Sequence, residues 1–301
     1  MSIGHYIKEI GRGKEGARSL NRTQAADMLG QILDGTVSDL EIGAFCIAMR
    51  IKSETPEEAA GFLDALQQRI TPIPAGDKPV IVIPSYNGAR KLPALTPLLA
   101  LLLAKEGLPV LLHGTETEDR RIPTEKVLTA LDIPVQTAIQ SIANGSVSFV
   151  PTALLNAGLQ RLLDVRRTLG LRNTAHSLVK LMTPVQGQSL LVTSYTHPEY
   201  AISMAQTLEW MGTNALLMRG TEGEPVADPR RTPRMQGFIR GKAVELQALQ
   251  SGTLSSLPDL PTSIDPVSTA HYIREVLEGT RPVPVPIAQQ VIHILHLTQQ
   301  V

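Results

Sequence analysis

The sequence is short of the residues that would announce several common chemistries. A single cysteine, Cys46, excludes an internal disulfide and a cysteine-built zinc site, and it fits a reducing compartment. It lies in the apolar run "IGAFCIAM", where a buried, unreactive thiol is expected. Aromatic residues make up only 3% of the chain, too few for an extended stacking platform. There is no excess charge of either sign, with 28 basic against 28 acidic residues. That balance excludes a uniformly basic coat but leaves the arrangement of charge open. The longest apolar run, Leu98 to Ala104, is far too short to cross a bilayer. The opening "MSIGHYIKEIGRGKEG" lacks the apolar core and small-residue cleavage site of a secretory leader, so a cytoplasmic location without membrane contact is the expectation. No Walker loop and no G-x-S-x-G nucleophile turn is present.

What remains is an ordinary globular composition, 43% hydrophobic and 19% charged, over a length that allows one large domain or two smaller ones. The first seventy residues read as helices. "NRTQAADMLGQILDG" places Ala25, Met28, Leu29, Ile32 and Leu33 on one face, and Gly35 stops it. "SDLEIGAFCIAMRIK" starts with Ser38 and Glu41 at capping-box spacing. "TPEEAAGFLDALQQRI" starts with Thr55 as cap and Pro56 as first helical residue. After the turn-rich "TPIPAGDKP" the pattern changes. Apolar strands at "PVIVI", "LPVLLHG", "SVSFV", "SLLVTS" and "NALLMRG" alternate with helices, the signature of a mostly parallel sheet covered on both faces. The helix in "PTALLNAGLQRLLDVRRTLG" is expected to break before or within its arginine pair, and "NTAHSLVKLM" reads as an additional helix. Two late helices are expected at "TAHYIREVLEG" and "IAQQVIHILHL". The fold class is thus α/β: a small all-helical N-terminal domain, residues 1–70 joined by the helix near 173–182, and a larger α/β domain, 79–301, around a mostly parallel central sheet.

One stretch raises a chemical question. In "VIVIPSYNGARKLPAL" a strand runs into a turn before a helical leucine pattern, the place where many enzymes hold a phosphate. Phosphate-cradling turns use several glycines so that backbone amides can approach the anion. This one has only Gly88, Pro84 lacks an N–H and Tyr86 adds bulk, so a backbone nest is not expected. Arg90 and Lys91, near the expected helix start, are either a solvated face or side-chain contacts to phosphate.

The order of elements resembles the anthranilate phosphoribosyltransferases and, behind them, the nucleoside phosphorylases of the same fold. "LEIGAFCIAMRIKSETPEEAAGFLDAL" resembles the family's early helices, and "LLDVRRTLGLRN" its Val-Arg-Arg-x-Leu-Gly-x-Arg segment. Against the family's Gly-Thr-Gly-Gly-Asp pyrophosphate loop the chain has Pro84-Ser85-Tyr86-Asn87-Gly88. Of Lys-His-Gly-Asn-Arg it keeps only His113 and Gly114, and in place of an Asp-Glu pair for magnesium it has the separated Glu222 and Glu224. The resemblance therefore implies a phosphoribosyl site that has been dismantled: no catalytic residue, no metal site and no cofactor are assigned. "IKEIGRGKEGARSL", "HPEYAISMAQTLEWMGTNALLMRGTEGEPVADPRR" and "VIVIPSYNGARK" further resemble the YbiB-type proteins, a bacterial group of the same fold. That resemblance implies nucleic-acid binding and a homodimer.

Local charge agrees with this implication. Lys8, Arg12 and Lys14 lie in a glycine-loosened N-terminal stretch that is either a tail reaching over a bound strand or a frayed terminus. Arg166, Arg167 and Arg172 follow an apolar helix, and Arg230, Arg231 and Arg234 lie in "DPRRTPR", where prolines keep the chain extended. Turns after parallel strands collect at one sheet edge, so Arg90, Lys91 and these clusters are expected to line a basic interdomain groove. Such a groove would track the phosphates of nucleic acid, single-stranded DNA first and RNA as an option, without reading sequence. Tyr86 is the best candidate to stack, and Trp210, late in an amphipathic helix, is expected in the core. The alternatives are a glycosyl or phosphoribosyl transferase with altered substrates, and a scaffold that dimerises through its N-terminal helices. His293 and His296 have helical metal spacing but lack a third ligand.

Overall fold

The computed structural model describes residues 2–13, 15–254 and 257–301. Lys14 lies outside the described residues. The chain divides into two compact units, Met1–Pro72 with Thr152–Pro184, and Ile73–Pro151 with Val185–Val301.

Along the chain, α1 (Gly4–Ile10), α2 (Arg22–Leu33), α3 (Asp39–Lys52) and α4 (Pro56–Gln67) come first. Then follow β1 (Ile73–Pro74), β2 (Val80–Ser85), α5 (Thr96–Lys105), β3 (Val110–Gly114), α6 (Thr124–Ala130) and β4 (Val147–Pro151). The helical unit resumes with α7 (Thr152–Leu155), α8 (Ala157–Leu169) and α9 (Ala175–Leu178). The rest is β5 (Val185–Gln186), β6 (Ser189–Tyr195), α10 (Pro198–Met211), β7 (Ala215–Arg219), β8 (Met235–Ile239), β9 (Lys242–Gln247), α11 (Pro266–Glu278) and α12 (Val285–Thr298).

In the helical unit, α2, α3 and α4 each begin with a full capping box, built from Asn21 and Gln24, Ser38 and Glu41, and Thr55 and Glu58. Each box satisfies N–H groups that an isolated helix leaves without partners. Phe45 and Phe62 meet edge to face, 6.0 Å between centroids, joining α3 to α4. The N-terminus is not a frayed tail. It forms α1, packed on α3 with Ile3 and Ile10 buried. Cys46 is buried, and burial pushes its thiol up to about 11, which makes it unreactive at neutral pH.

The expected break in the long helix falls before its arginine pair, between α7 and α8. It comes at Asn156, whose side chain caps α8 by accepting the Leu159 N–H at 2.7 Å. From there α8 runs through Arg166 and Arg167 to a left-handed cap at Gly170. The segment 173–182 holds only the short α9, and the whole of Thr152–Pro184, rather than that segment alone, belongs with the helical unit.

The second unit is a seven-stranded sheet in the order β4-β3-β2-β6-β7-β8-β9, parallel from β4 to β7 and antiparallel beyond. Every residue of β2 and β3 is buried, as a sheet covered on both faces requires. Ile81, Ile83, Val110, Leu112, Leu190 and Val192 share one core with α5, α11 and α12. Alternate residues such as Leu191 and Leu217 point to the opposite face, and α10 runs along β6 and β7. The β8–β9 hairpin was not expected from the sequence. Its two-residue turn, Arg240-Gly241, has both residues at positive φ, 49° and 75°, the form a tight hairpin needs, but lacks the usual Asn-Gly or Asp-Gly signal. The strand order reverses between β2 and β6, so the carboxyl ends of those strands flank the crevice where ligands bind in such sheets. Among the described residues, no helix is long and apolar enough to cross a membrane.

Candidate functional site

At that crevice the loop after β2 does form a nest of backbone donors, contrary to the expectation from its composition. The strand continues through Pro84 to Ser85, so the proline precedes the nest and its missing N–H does not matter. Gly88 then takes φ +70°, and a Cβ there would lie 2.7 Å from the Ile122 carbonyl oxygen. One left-handed residue is enough to turn four N–H groups toward the crevice. Those of Asn87 and Gly88 donate to Glu224 Oε1 at 2.7 and 2.9 Å. Those of Arg90 and Lys91 donate to Glu222 at 2.7 and 2.9 Å.

The anion in the nest is thus the chain's own. Glu224 is 3% exposed, and its second oxygen accepts from the hydroxyls of Ser85 and Thr96, the latter at 3.3 Å. A buried carboxylate is tolerated when its lone pairs are filled in this way. The turn that carries both carboxylates follows β7. Glu222 and Gly223 sit at φ +54° and +93°, and the Gly223 carbonyl accepts from Asn87 Nδ2 at 2.6 Å and Ser194 Oγ at 3.0 Å. Arg121 closes the arrangement, with Nη1 donating to the carbonyls of Gly88 and Glu222 at 3.1 and 3.2 Å. A shallow pocket beside it is lined by Ser85, Asn87, Thr115, Glu116 and Thr124, among others.

His113 and Tyr86 lie beneath this loop. The Tyr86 hydroxyl is 2.9 Å from His113 Nδ1, and Tyr86 is only 4% exposed, so it cannot present a ring face to a base. Complete burial pushes the His113 imidazole down to about 3, which keeps it neutral. Trp210 is corrected in the other sense. It is 52% exposed because α10 buries Met204, Thr207 and Leu208 against the sheet, and position 210 lies on a different face of the turn. His197 precedes α10, and no side chain caps that helix end.

The remaining sequence-predicted residues fall into separate groups. Arg90 and Lys91 are exposed, but they precede α5 by several residues and are held by Glu222 rather than by a helix start. Arg230 makes a double contact with Asp228 at 2.9 and 2.8 Å, and Arg234 one with Glu245 at 3.0 and 2.7 Å. Arg231 donates to the carbonyls of Gln250 and Gly252. In the helical unit, Arg166 and Arg172 are half-buried, and their charges add to burial in holding His176 down to about 3. Arg167 lies 3.8 Å from Asp164. Lys8 is exposed on α1, and Arg12 pairs with Glu9 at 2.7 Å. The sequence reading missed the role of Glu222, Glu224 and Arg121. The available signal was an acidic pair on one post-strand loop and free amides on another, which a parallel sheet brings to the same edge.

Comparison with known proteins fits this architecture. The family model described as "Glycosyl transferase family, helical bundle domain" matches residues 4–70. The anthranilate phosphoribosyltransferase of Thermus thermophilus superposes with a TM-score of 0.72 at 22% identity, over 95% of this chain and 85% of that one. The enzyme from Saccharomyces cerevisiae, solved in complex with PRPP and Mg, superposes with a TM-score of 0.70 at 16% identity, over 99% and 88%. The fold is that of the anthranilate phosphoribosyltransferases of glycosyltransferase family 3. In sequence the chain is 42% identical to YbiB of Escherichia coli K12 over 292 residues, 94% of this chain and 90% of that protein. The chain belongs to the YbiB family.

Neither PRPP nor magnesium fits the donor set found here. The amides that would face a pyrophosphate are taken by Glu224 and Glu222. Those carboxylates in turn accept from N–H and O–H groups, which leaves them poorly disposed to hold a cation.

Proposed function

We propose that the protein binds nucleic acid in a sequence-tolerant manner through phosphate contacts, on a phosphoribosyltransferase fold that no longer serves a phosphoribosyl donor. Single-stranded DNA is the first candidate and RNA the second. The observation that carries the reading is the filled nest. The loop that would receive a small phosphorylated donor is taken by Glu222 and Glu224, and the same hydrogen bonds fix Arg90 and Lys91 as an exposed cation pair at the carboxyl edge of the sheet.

Further support comes from the basic residues of each unit. Arg120 is exposed after β3 and Arg219 is exposed at the end of β7 in the α/β unit, while in the helical unit Arg166 and Arg172 both act on His176 and Arg167 is exposed on α8. Cations of this kind attract a phosphate backbone without reading bases, and scarcity of accessible aromatics weighs against stacking as the main contribution. The resemblance to YbiB-type proteins supplies the same expectation. A homodimer is part of the proposal, supported by the exposed apolar residues Leu40, Ile47 and Ile51 on one side of α3.

The test is fluorescence anisotropy of a labelled mixed-sequence single strand at salt concentrations of about 50 and about 200 mM. Binding that weakens steeply with salt is the expected result. Absence of binding at the lower concentration would overturn the reading. A large thermal stabilisation by PRPP with magnesium would favour an active transferase instead.

A further inference from the structure

We infer that the loop from Ser85 to Leu92 is an intact oxyanion site whose ligand is the chain's own Glu222-Gly223-Glu224 turn, so that free phosphate and pyrophosphate are excluded from it. The site has two seats. The inner one is buried and offers the amides of Asn87 and Gly88 with the hydroxyls of Ser85 and Thr96. The outer one offers the amides of Arg90 and Lys91 to the half-buried Glu222. Converging amides and hydroxyls are the donors by which proteins bind phosphate groups, and here they grip carboxylates.

The turn is built as a plug. Glu222 holds a left-handed conformation that costs a non-glycine residue about 1 kcal/mol or more and persists only where the surroundings enforce it. They do so here through the carbonyls of the two peptides that follow. The Gly223 carbonyl is held by Asn87 and Ser194, the Glu222 carbonyl by Arg121, and a Cβ on Gly223 would collide with the Asn87 amide. Asn87 therefore serves twice, with its backbone N–H on the Glu224 carboxylate and its side chain on the turn that delivers it.

The ligand class that follows is a phosphate or diphosphate, and its seat opens only when the carboxylates are removed. The test compares wild type with the double variant Glu222→Ala/Glu224→Ala, using pyrophosphate alone as the probe, by titration calorimetry and thermal shift. Because no nucleic acid is involved, the outcome is separate from that of the nucleic-acid experiment. The folded double variant should gain saturable pyrophosphate binding at least about tenfold tighter than wild type, a difference of about 1.4 kcal/mol. Equal affinity in the two proteins, or no binding by the folded variant, would overturn the inference. If the double variant does not fold, hydrogen exchange on the wild type decides the matter. The amides of Asn87, Gly88, Arg90 and Lys91 should be strongly protected although they lie in a loop, and fast exchange at all four would refute self-occupancy.

Discussion

Lys52 Nζ lies 2.6 Å from Glu58 Oε2, and the two side chains are only 7% and 0% exposed. Glu58 also accepts the N–H groups of Leu20 at 2.9 Å and Thr55 at 2.9 Å, so one carboxylate ties the approach to α2, the start of α4 and the end of α3 together. Removing it leaves two backbone donors without partners and takes the counter-charge from a buried ammonium, which keeps its bonds to the Ser53 carbonyl and the Ser19 hydroxyl. Glu58→Ala should cost about 3–5 kcal/mol of stability. Lys52→Met, which leaves the backbone donors to Glu58 in place, should cost less. Urea denaturation of the two variants checks both the size and the order of the effects.

His113 and His176 make the fold sensitive to acid. Both imidazoles are pushed down to about 3, His113 by burial and His176 by burial together with the charges of Arg172, Arg166 and Lys180. They stay neutral in the folded chain, whereas the unfolded chain protonates them below about pH 6.5. Stability is therefore lost as pH falls from about 6.5 toward 3, by about 1.4 kcal/mol per unit for each histidine. Glu54 acts in the opposite sense, because burial raises its carboxyl and the folded chain takes up that proton more readily. Comparison of variant with wild type removes this offset. His113→Gln, which keeps a partner for Tyr86, should reduce the loss between about pH 7 and pH 5 by about 2 kcal/mol. Denaturation midpoints with an unchanged pH dependence in the variant would show that His113 is not the buried neutral group described.

The caps at Ser38 and Thr55 were readable because they are local, each standing just before its helix, and the structure forms a full capping box at both and a further one at Asn21. The alternation of apolar strands and helices was readable for the same reason, and the parallel part of the sheet follows from it. The nest was not. Gly88 and Glu224 meet only because β2 and β7 end at one edge of the sheet, which no local pattern announces. Counting glycines also misled, since a single left-handed residue suffices once the strand carries past Pro84. Trp210 shows a limit of a different kind. The amphipathic pattern identified α10, but the face on which a late residue falls depends on where the helix starts and which turns the sheet covers.

The exposed side of α3 predicts an oligomer contact that can be removed. Leu40, Ile47 and Ile51 are 84%, 37% and 61% exposed, at spacings of seven and four that put them on one face. Wild type is expected to sediment as a homodimer. Leu40→Glu/Ile51→Glu should sediment as a monomer, with monomer stability changed by only about 0.5 kcal/mol because both side chains are already exposed. A variant that remains dimeric would place the interface on another surface.

Arg90 and Lys91 have their amides tied to Glu222 and their side chains in solvent, so replacing both by glutamine removes two positive charges while leaving the backbone hydrogen bonds in place. If each side chain neutralises one phosphate of a bound nucleic acid, the slope of log affinity against log salt for a single strand should become shallower by about 0.7 per lost contact. The loss of affinity should be similar for unrelated sequences, since phosphates carry no base identity. Arg230→Gln and Arg234→Gln should change the slope less, because those guanidinium groups are already matched to Asp228 and Glu245. Selective loss for one sequence would point to base contacts, and an unchanged slope in the Arg90→Gln/Lys91→Gln variant would move the contact surface away from this edge of the sheet.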